Sequence, residues 1–273
     1  GNSRQIYHRI ASEFKTGTRS FNIVGSYGTG KSAFLWAIEK QLSNRATYFG
    51  PVNGQFDGTK KFEPINIVGE YDSIIHSFAR HVGVTARRVN EQLILGKLAA
   101  EHDRAAKKKA GLLIVIDELG KFLEYAATKE PERELYFIQR LAEFCNDPAR
   151  RLLLLTSLHQ GFDSYARGLD QVQKQEWEKV KGRLTEIPFN EPVHQLLFLA
   201  AEYLRSQNVD EGSNQSIEAI VSFTEKARAY TFDAHSIRST TKSLLPLDPL
   251  AAAALALALQ DCGQNERSLF TFL

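Results

Sequence analysis

Cysteine is scarce in this chain and methionine is missing. The two cysteines, Cys145 and Cys262, lie far apart, form no C-x-x-C pair and have no histidine at ligand spacing. That pattern builds neither a disulfide framework nor a structural zinc site, and it points to a reducing, cytosolic compartment. No apolar run is long enough to span a bilayer: the best, residues 250–259, is short and Ala-rich. No signal peptide precedes the first polar residues. Charge of one sign is lacking too. Against 34 Lys and Arg stand 32 Asp and Glu, a net charge of +2. Such a balance does not mark a nucleic-acid coat protein, though it leaves room for a local basic groove. The opening Gly1-Asn2-Ser3-Arg4, without an initiator methionine, and the abrupt close at Phe272-Leu273 are read as signs of a fragment of a longer protein; the lack of any methionine is read either as chance or as segments missing from the chain, so that short motifs carry more weight than long spacings. What remains, with 43% hydrophobic and 24% charged residues in 273, is enough for one large globular domain, or a core with a small appendage.

Periodicity orders the chain. Ile6, Ile10 and Phe14 at i, i+4, i+8 predict a helix over 4–15. Phe21-Asn22-Ile23-Val24 ends at Gly25 and reads as a buried strand; residues 30–42 then read as a helix with Phe34, Leu35 and Ile38 on one face. A second strand is expected over 46–52, a loop over 53–64, and helices over about 71–82 and 86–109. Leu112-Leu113-Ile114-Val115-Ile116 has the continuous apolar character of a central parallel strand, and Leu152-Leu153-Leu154-Leu155 repeats it. Helices are expected over 131–145 and, around Trp177, over 171–182, with a short last strand at Glu186-Ile187-Pro188-Phe189. From Pro192 the pattern is helical only, over about 192–206, 214–229 and 248–260. Strands alternating with helices, then helices alone, predict an α/β fold: a doubly wound, mostly parallel sheet in residues 1–190, then a helical lid, or the start of a further helical region, in 191–273.

The strongest motif is Gly25-Ser26-Tyr27-Gly28-Thr29-Gly30-Lys31-Ser32, which meets G-x-x-x-x-G-K-[ST] at every fixed position. Its glycines let the backbone approach phosphates closely. Successive N–H groups, running on through Ala33 into the helix, form an anion nest at a positive helix end. Lys31 is expected to bridge the β- and γ-phosphates, and the Ser32 hydroxyl to hold Mg²⁺. An apolar strand before the loop and an amphipathic helix after it supply the required context; a chance Gly-rich turn is the bland alternative.

Asp117-Glu118 closes the run 112–116, at the strand end where open α/β sheets bind ligands. Asp117 is expected to reach Mg²⁺, and Glu118 to orient and polarise the attacking water. The alternative is that both merely cap a helix starting near Leu119. No N-K-x-D segment reads a guanine base, so ATP is preferred to GTP. Among lesser candidates, Thr156 or Ser157 at a strand end is placed to contact the γ-phosphate or the water, and spacing does not separate the two. Arg183 is a candidate arginine finger and Arg238 a candidate lid contact. For Arg183 a solvated charge is the alternative. His159 is read as a surface residue. Lys107-Lys108-Lys109 is either a phosphate contact or a solvated helix end, and Phe122, Tyr125, Tyr136 and Phe137 are read as core.

Together the phosphate loop, the strand ending Asp117-Glu118, the Thr156-Ser157 strand end and the trailing helices resemble the AAA+/STAND group of P-loop ATPases, near its origin-recognition-like branch, over roughly residues 4–245. Three stretches, residues 116–124, 177–183 and 264–270, resemble the large ATP-binding proteins of bacterial anti-phage defence islands, such as the BREX-type P-loop ATPase. The resemblance implies a Mg²⁺-dependent ATPase switch or motor that acts with double-stranded DNA and reports to a partner effector or forms a homo-oligomer, away from any membrane. A departure is the lack of an Asn at Thr156-Ser157, which leaves the γ-phosphate sensor open. Two other functions compete: a module that binds ATP and oligomerises with little hydrolysis, and a kinase on the same loop. The intact Glu118 argues against the first. The lack of an acceptor motif argues against the second.

Overall fold

The computed structural model describes residues 2–27, 29–50, 56–84, 89–166 and 170–189, with isolated helical positions beyond 190. Its helices are α1 Asn2–Lys15, α2 Lys31–Leu42, α3 Ile74–His81, α4 Glu91–Lys107, α5 Leu119–Thr128, α6 Pro131–Asn146, α7 Phe162–Tyr165 and α8 Gln171–Lys181. The strands are β1 Ser20–Val24, β2 Phe62–Val68, β3 Gly111–Asp117, β4 Leu152–Leu158 and β5 Thr185–Pro188. They form one sheet in the order β2-β3-β4-β1-β5, with every pairing parallel. This is an α/β fold with helices on both faces of a parallel sheet.

Side-chain alternation sorts the core into two halves. Leu113, Val115, Leu153 and Leu155 pack with Ile6, Ile10 and Phe14 of α1 and Phe34, Leu35 and Ile38 of α2. Leu112, Ile114, Ile116, Leu152 and Leu154 pack with α3, α4, α5 and α6. Central strands covered on both faces have no solvent row to supply, so β3 and β4 are continuously apolar. The helix starts are written locally. Ser73 accepts the His76 N–H at α3, Asn90 accepts the Leu93 N–H at α4, and Asp170 and Gln173 cap each other at α8. Trp177 is wholly buried and its indole N–H donates to the Phe162 carbonyl at 2.9 Å.

The second strand is a correction to the sequence reading. It runs over Phe62–Val68, which begins inside the expected loop, while residues 46–50 form no strand. Gln41 explains the difference. Its Oε1 accepts the N–H groups of Tyr48 and Phe49 at 2.9 and 2.7 Å, and its Nε2 donates to the Gly50 carbonyl at 2.7 Å. The segment is therefore satisfied by one side chain at the end of α2 instead of by a strand ladder. Pro64 hid the real strand, but β2 is an edge strand, where a proline is tolerated.

The chain falls into two compact units: Gly1–Gly25 with Gly30–Phe189, and Ser26–Thr29 with Asn190–Leu273. The sheet and its helices belong to the first. In the second, the Thr29 hydroxyl donates to the Ser26 carbonyl at 2.9 Å. Apart from isolated positions, the helices expected after Pro192 lie outside the described residues, as do Gly28, Arg238, Cys262 and the 264–270 stretch. Among the described residues no helix is long and apolar enough to cross a membrane.

Candidate functional site

Three strand ends meet at the C-terminal edge of the sheet, because β4 lies between β1 and β3. The Gly25 N–H donates to the Leu158 carbonyl at 3.1 Å, so the chain leaves β1 while still tied to β4. Gly30 precedes α2 at φ 88°, a left-handed conformation that favours glycine, and no side chain caps the helix it opens. Lys31 follows in the first turn. It is only 5% exposed, and its ammonium donates to the Gly25 carbonyl at 2.5 Å. Burial lowers its pKa to about 8, with the charges of Asp117 and Glu118 pulling the other way. Ser32 and Ala33 are exposed in the same turn.

Asp117 ends β3, and Glu118 follows it just before α5. Glu118 takes a left-handed conformation, φ 56° and ψ 42°, at a residue that is not glycine, and its side chain does not cap α5. The capping alternative therefore fails for Glu118. Such a backbone costs about 1–2 kcal/mol and persists only where its surroundings hold it. Two neighbours do so. The Ser157 hydroxyl donates to Asp117 Oδ1 at 2.5 Å and accepts the Glu118 N–H at 2.9 Å. On another side, the Gly69 N–H donates to the Asp117 carbonyl at 2.7 Å, and a Cβ on Gly69 would lie 1.9 Å from the Glu118 carbonyl oxygen. No side chain fits there.

The register that spacing left open is decided by the sheet. Ile116 pairs with Thr156, so Ser157 stands beside Asp117 on the α2 side. Thr156 turns to the other face and donates to Asn22 Oδ1 at 2.8 Å, away from the site. Arg183 does not join either. It precedes β5, at the opposite edge of the sheet, where its Nε donates to Glu143 Oε1 and its Nη1 to the Lys179 carbonyl, both at 2.7 Å.

His159, read from the sequence as a surface residue, belongs to the site. Its side chain is 13% exposed and its Nε2 lies 3.9 Å from Glu118 Oε1. Burial, then the charge of Lys31, lowers its pKa to about 4 against the pull of Asp117, so the imidazole is neutral near pH 7. Its position just past β4 was the signal available in the sequence. Nothing local marked Gly69, whose partner residues lie some fifty positions away.

No protein-family model matches the chain. No curated protein matches it either. Solved structures with some likeness include the ORC2 protein of Aeropyrum pernix in ADPNP and ADP complexes, at 15% identity and TM-score 0.47, covering 89% of this chain and 68% of that one. PCH-2 of C. elegans is 14% identical with TM-score 0.43, over 93% and 68% of the two chains. Domain III of the Thermotoga maritima replication initiation protein DnaA is 11% identical with TM-score 0.37, over 90% and 93%. At identities of 15% or less and TM-scores of 0.47 or less, none of the three transfers a role to a residue of this chain.

Proposed function

We propose that this chain is a Mg²⁺-dependent ATPase whose phosphate loop is Gly25 to Ser32 and whose water-activating group is Glu118. One observation carries the reading: a buried lysine at the start of α2 shares its electrostatic surroundings with Asp117, which ends β3, and with Glu118, which follows it. A buried ammonium donating to a backbone carbonyl of its own loop is poised to exchange that carbonyl for phosphate oxygens, which are stronger partners.

The donor set suits Mg²⁺. The Ser32 hydroxyl and the Asp117 carboxylate are hard oxygen ligands, and the hydrogen bonds from Ser157 and the Glu118 N–H both go to Asp117 Oδ1. Such an ion would be held by one or two protein groups, with water and substrate phosphates completing its shell. When bound, the ion neutralises charge on the β- and γ-phosphates. Lys31 then binds the same oxygens. Ser157 holds Asp117 and the Glu118 backbone in register. Glu118 accepts a proton from water as the water oxygen bonds to the γ-phosphorus and the bond to the β–γ bridging oxygen breaks, releasing ADP and phosphate. His159, neutral near pH 7, flanks the Glu118 carboxylate at 3.9 Å. Thr156 and Arg183 have no part in this scheme.

The finer reading is an AAA+/STAND-like switch or motor, with a core of 1–190 and a helical region of 191–273. It works in the cytoplasm with double-stranded DNA in a bacterial defence complex, as a homo-oligomer or with a partner effector. The quoted stretches at 116–124 and 177–183 support it.

The test is ATP hydrolysis by the purified chain with Mg²⁺, with and without duplex DNA. Glu118→Gln should retain nucleotide binding and lose roughly 10²–10⁴-fold in turnover, the usual worth of a positioned base. Lys31→Ala should weaken binding itself. Turnover by Glu118→Gln at the wild-type rate would remove Glu118 from its role. Tight binding without turnover in the wild type would favour a binding module.

A further inference from the structure

The opposite edge of the same sheet gathers positive charge from three separate segments. Lys60 and Lys61 precede β2, Lys107, Lys108 and Lys109 precede β3, and Arg151 precedes β4. Hydrogen bonds hold these starts side by side. The Gly111 N–H donates to the Lys61 carbonyl and the Leu112 N–H to the Arg151 carbonyl, each at 2.8 Å. The Arg151 N–H donates to His102 Nε2 at 3.2 Å, tying the end of α4 to the start of β4.

Several of the neighbouring acids are paired, one of them with Lys61 of this edge. Glu63 pairs with Lys61, Glu101 with Arg104 and Asp147 with Arg150. Asp57 and Asp147 act on the buried Arg19, while Asp103, which lies 3.1 Å from His102 Nδ1, stays exposed. Lys60, Lys107, Lys108, Lys109 and Arg151 are all exposed, and no ion pair engages them among the described residues. The macrodipole of α4 accounts for cations in its last turn. It accounts for neither Lys60 nor Arg151, which are on no helix.

We propose that this N-terminal edge of the sheet is a docking strip for the phosphate backbone of duplex nucleic acid. At about 4.8 Å between strands, three strand starts span about 10 Å. Duplex DNA presents on the order of six charges over that length of axis. Cations on flexible stems suit a partner with regularly repeated charge. None of the exposed large apolar side chains among the described residues belongs to these segments, so the strip has nothing to insert into a bilayer or between bases. Contact is therefore to phosphates and independent of sequence. The strip lies at the opposite edge from Lys31 and Asp117, so duplex and nucleotide do not compete for one surface. The proposal does not rest on the ATPase reading.

The experiment is fluorescence anisotropy of a short labelled duplex titrated with the whole chain over a series of salt concentrations, beside anionic phosphatidylserine vesicles. The wild type should bind duplex at low salt, with affinity falling steeply as salt rises. Lys107→Glu/Lys108→Glu/Lys109→Glu should weaken binding at least tenfold and flatten the slope of log affinity against log salt by about 2–3. Arg151→Ala, a milder change, should flatten it by about 1. Nucleotide titration of the same variants should be unchanged, which separates loss of the strip from loss of the fold or of the nucleotide site. Unchanged duplex affinity and slope in both variants would overturn the proposal, as would a wild type that binds the vesicles and not the duplex.

Discussion

Glu118 shows how much a single residue depends on others for its direction. Its left-handed backbone is held between Ser157 and Gly69, so substitutions that never touch its carboxylate should still misdirect it. Gly69→Ala should lower turnover by at least roughly tenfold with nucleotide affinity kept, since small misplacements of a reacting group carry such penalties. Turnover and a nucleotide titration on one sample would check it. Ser157→Ala should act in the same direction. Thr156→Val should not, because Thr156 faces Asn22; it should instead cost about 1–3 kcal/mol of stability, read from denaturant unfolding, by leaving Asn22 Oδ1 without its donor. The contrast between adjacent residues tests the register directly. His159 adds a pH dependence. Its folded pKa of about 4 lies below the ordinary 6.5, so the unfolded chain binds more protons between these values. Stability from this group is therefore complete above pH 6.5 and is lost as pH falls toward 4, with slope set by linkage. His159→Gln should flatten the unfolding free energy across that window; an unchanged profile would mean that the imidazole is not held neutral.

Among the elements, the link from α2 to the next strand is where local pattern misleads. Ala46 to Val52 has the composition of a strand, yet Gln41 takes up its backbone groups, and Tyr7 Oη adds a fourth partner by accepting from Gln41 Nε2 at 3.1 Å. Gln41→Ala should therefore lower stability by about 4 kcal/mol, at roughly 1 kcal/mol for each of the four hydrogen bonds, and should loosen the seat of α2, seen as faster amide exchange at Tyr48 and Phe49. Glu134 does similar work across the other face. Its carboxylate accepts from the Ser73 hydroxyl at 2.5 Å and the Ile74 N–H at 3.0 Å, pinning the start of α3 to α6, and burial raises its pKa. Neither tie is visible as a motif, because each joins a common residue type to backbone atoms that no pattern names.

Over the whole sheet, parallel strands give two edges with different chemistry. The C-terminal edge collects Lys31, Asp117, Glu118, Ser157 and His159; the N-terminal edge collects lysines and Arg151. If nucleotide binds the folded chain alone, ATP at a hundred times its dissociation constant should raise unfolding free energy by about 2.7 kcal/mol, and Lys31→Ala should lose most of that gain. The sequence by itself determined the G-x-x-x-x-G-K-[ST] pattern of residues 25–32, the apolar strand that ends at Asp117 and the alternation of strands with helices. Each is a contiguous pattern whose chemistry needs fixed residue types at fixed spacing. It also named Lys31, Ser32, Asp117 and Glu118 one by one. Only the tertiary structure decided that Ser157 and not Thr156 stands beside Asp117, because a side chain's face follows from strand register. It alone brought in His159 and Gly69, set Arg183 against Glu143, and gathered Lys60, Lys107 and Arg151 along one edge. Those juxtapositions depend on the order β2-β3-β4-β1-β5, which is fixed by how apolar faces pack across the sheet and is written in no single stretch of the chain.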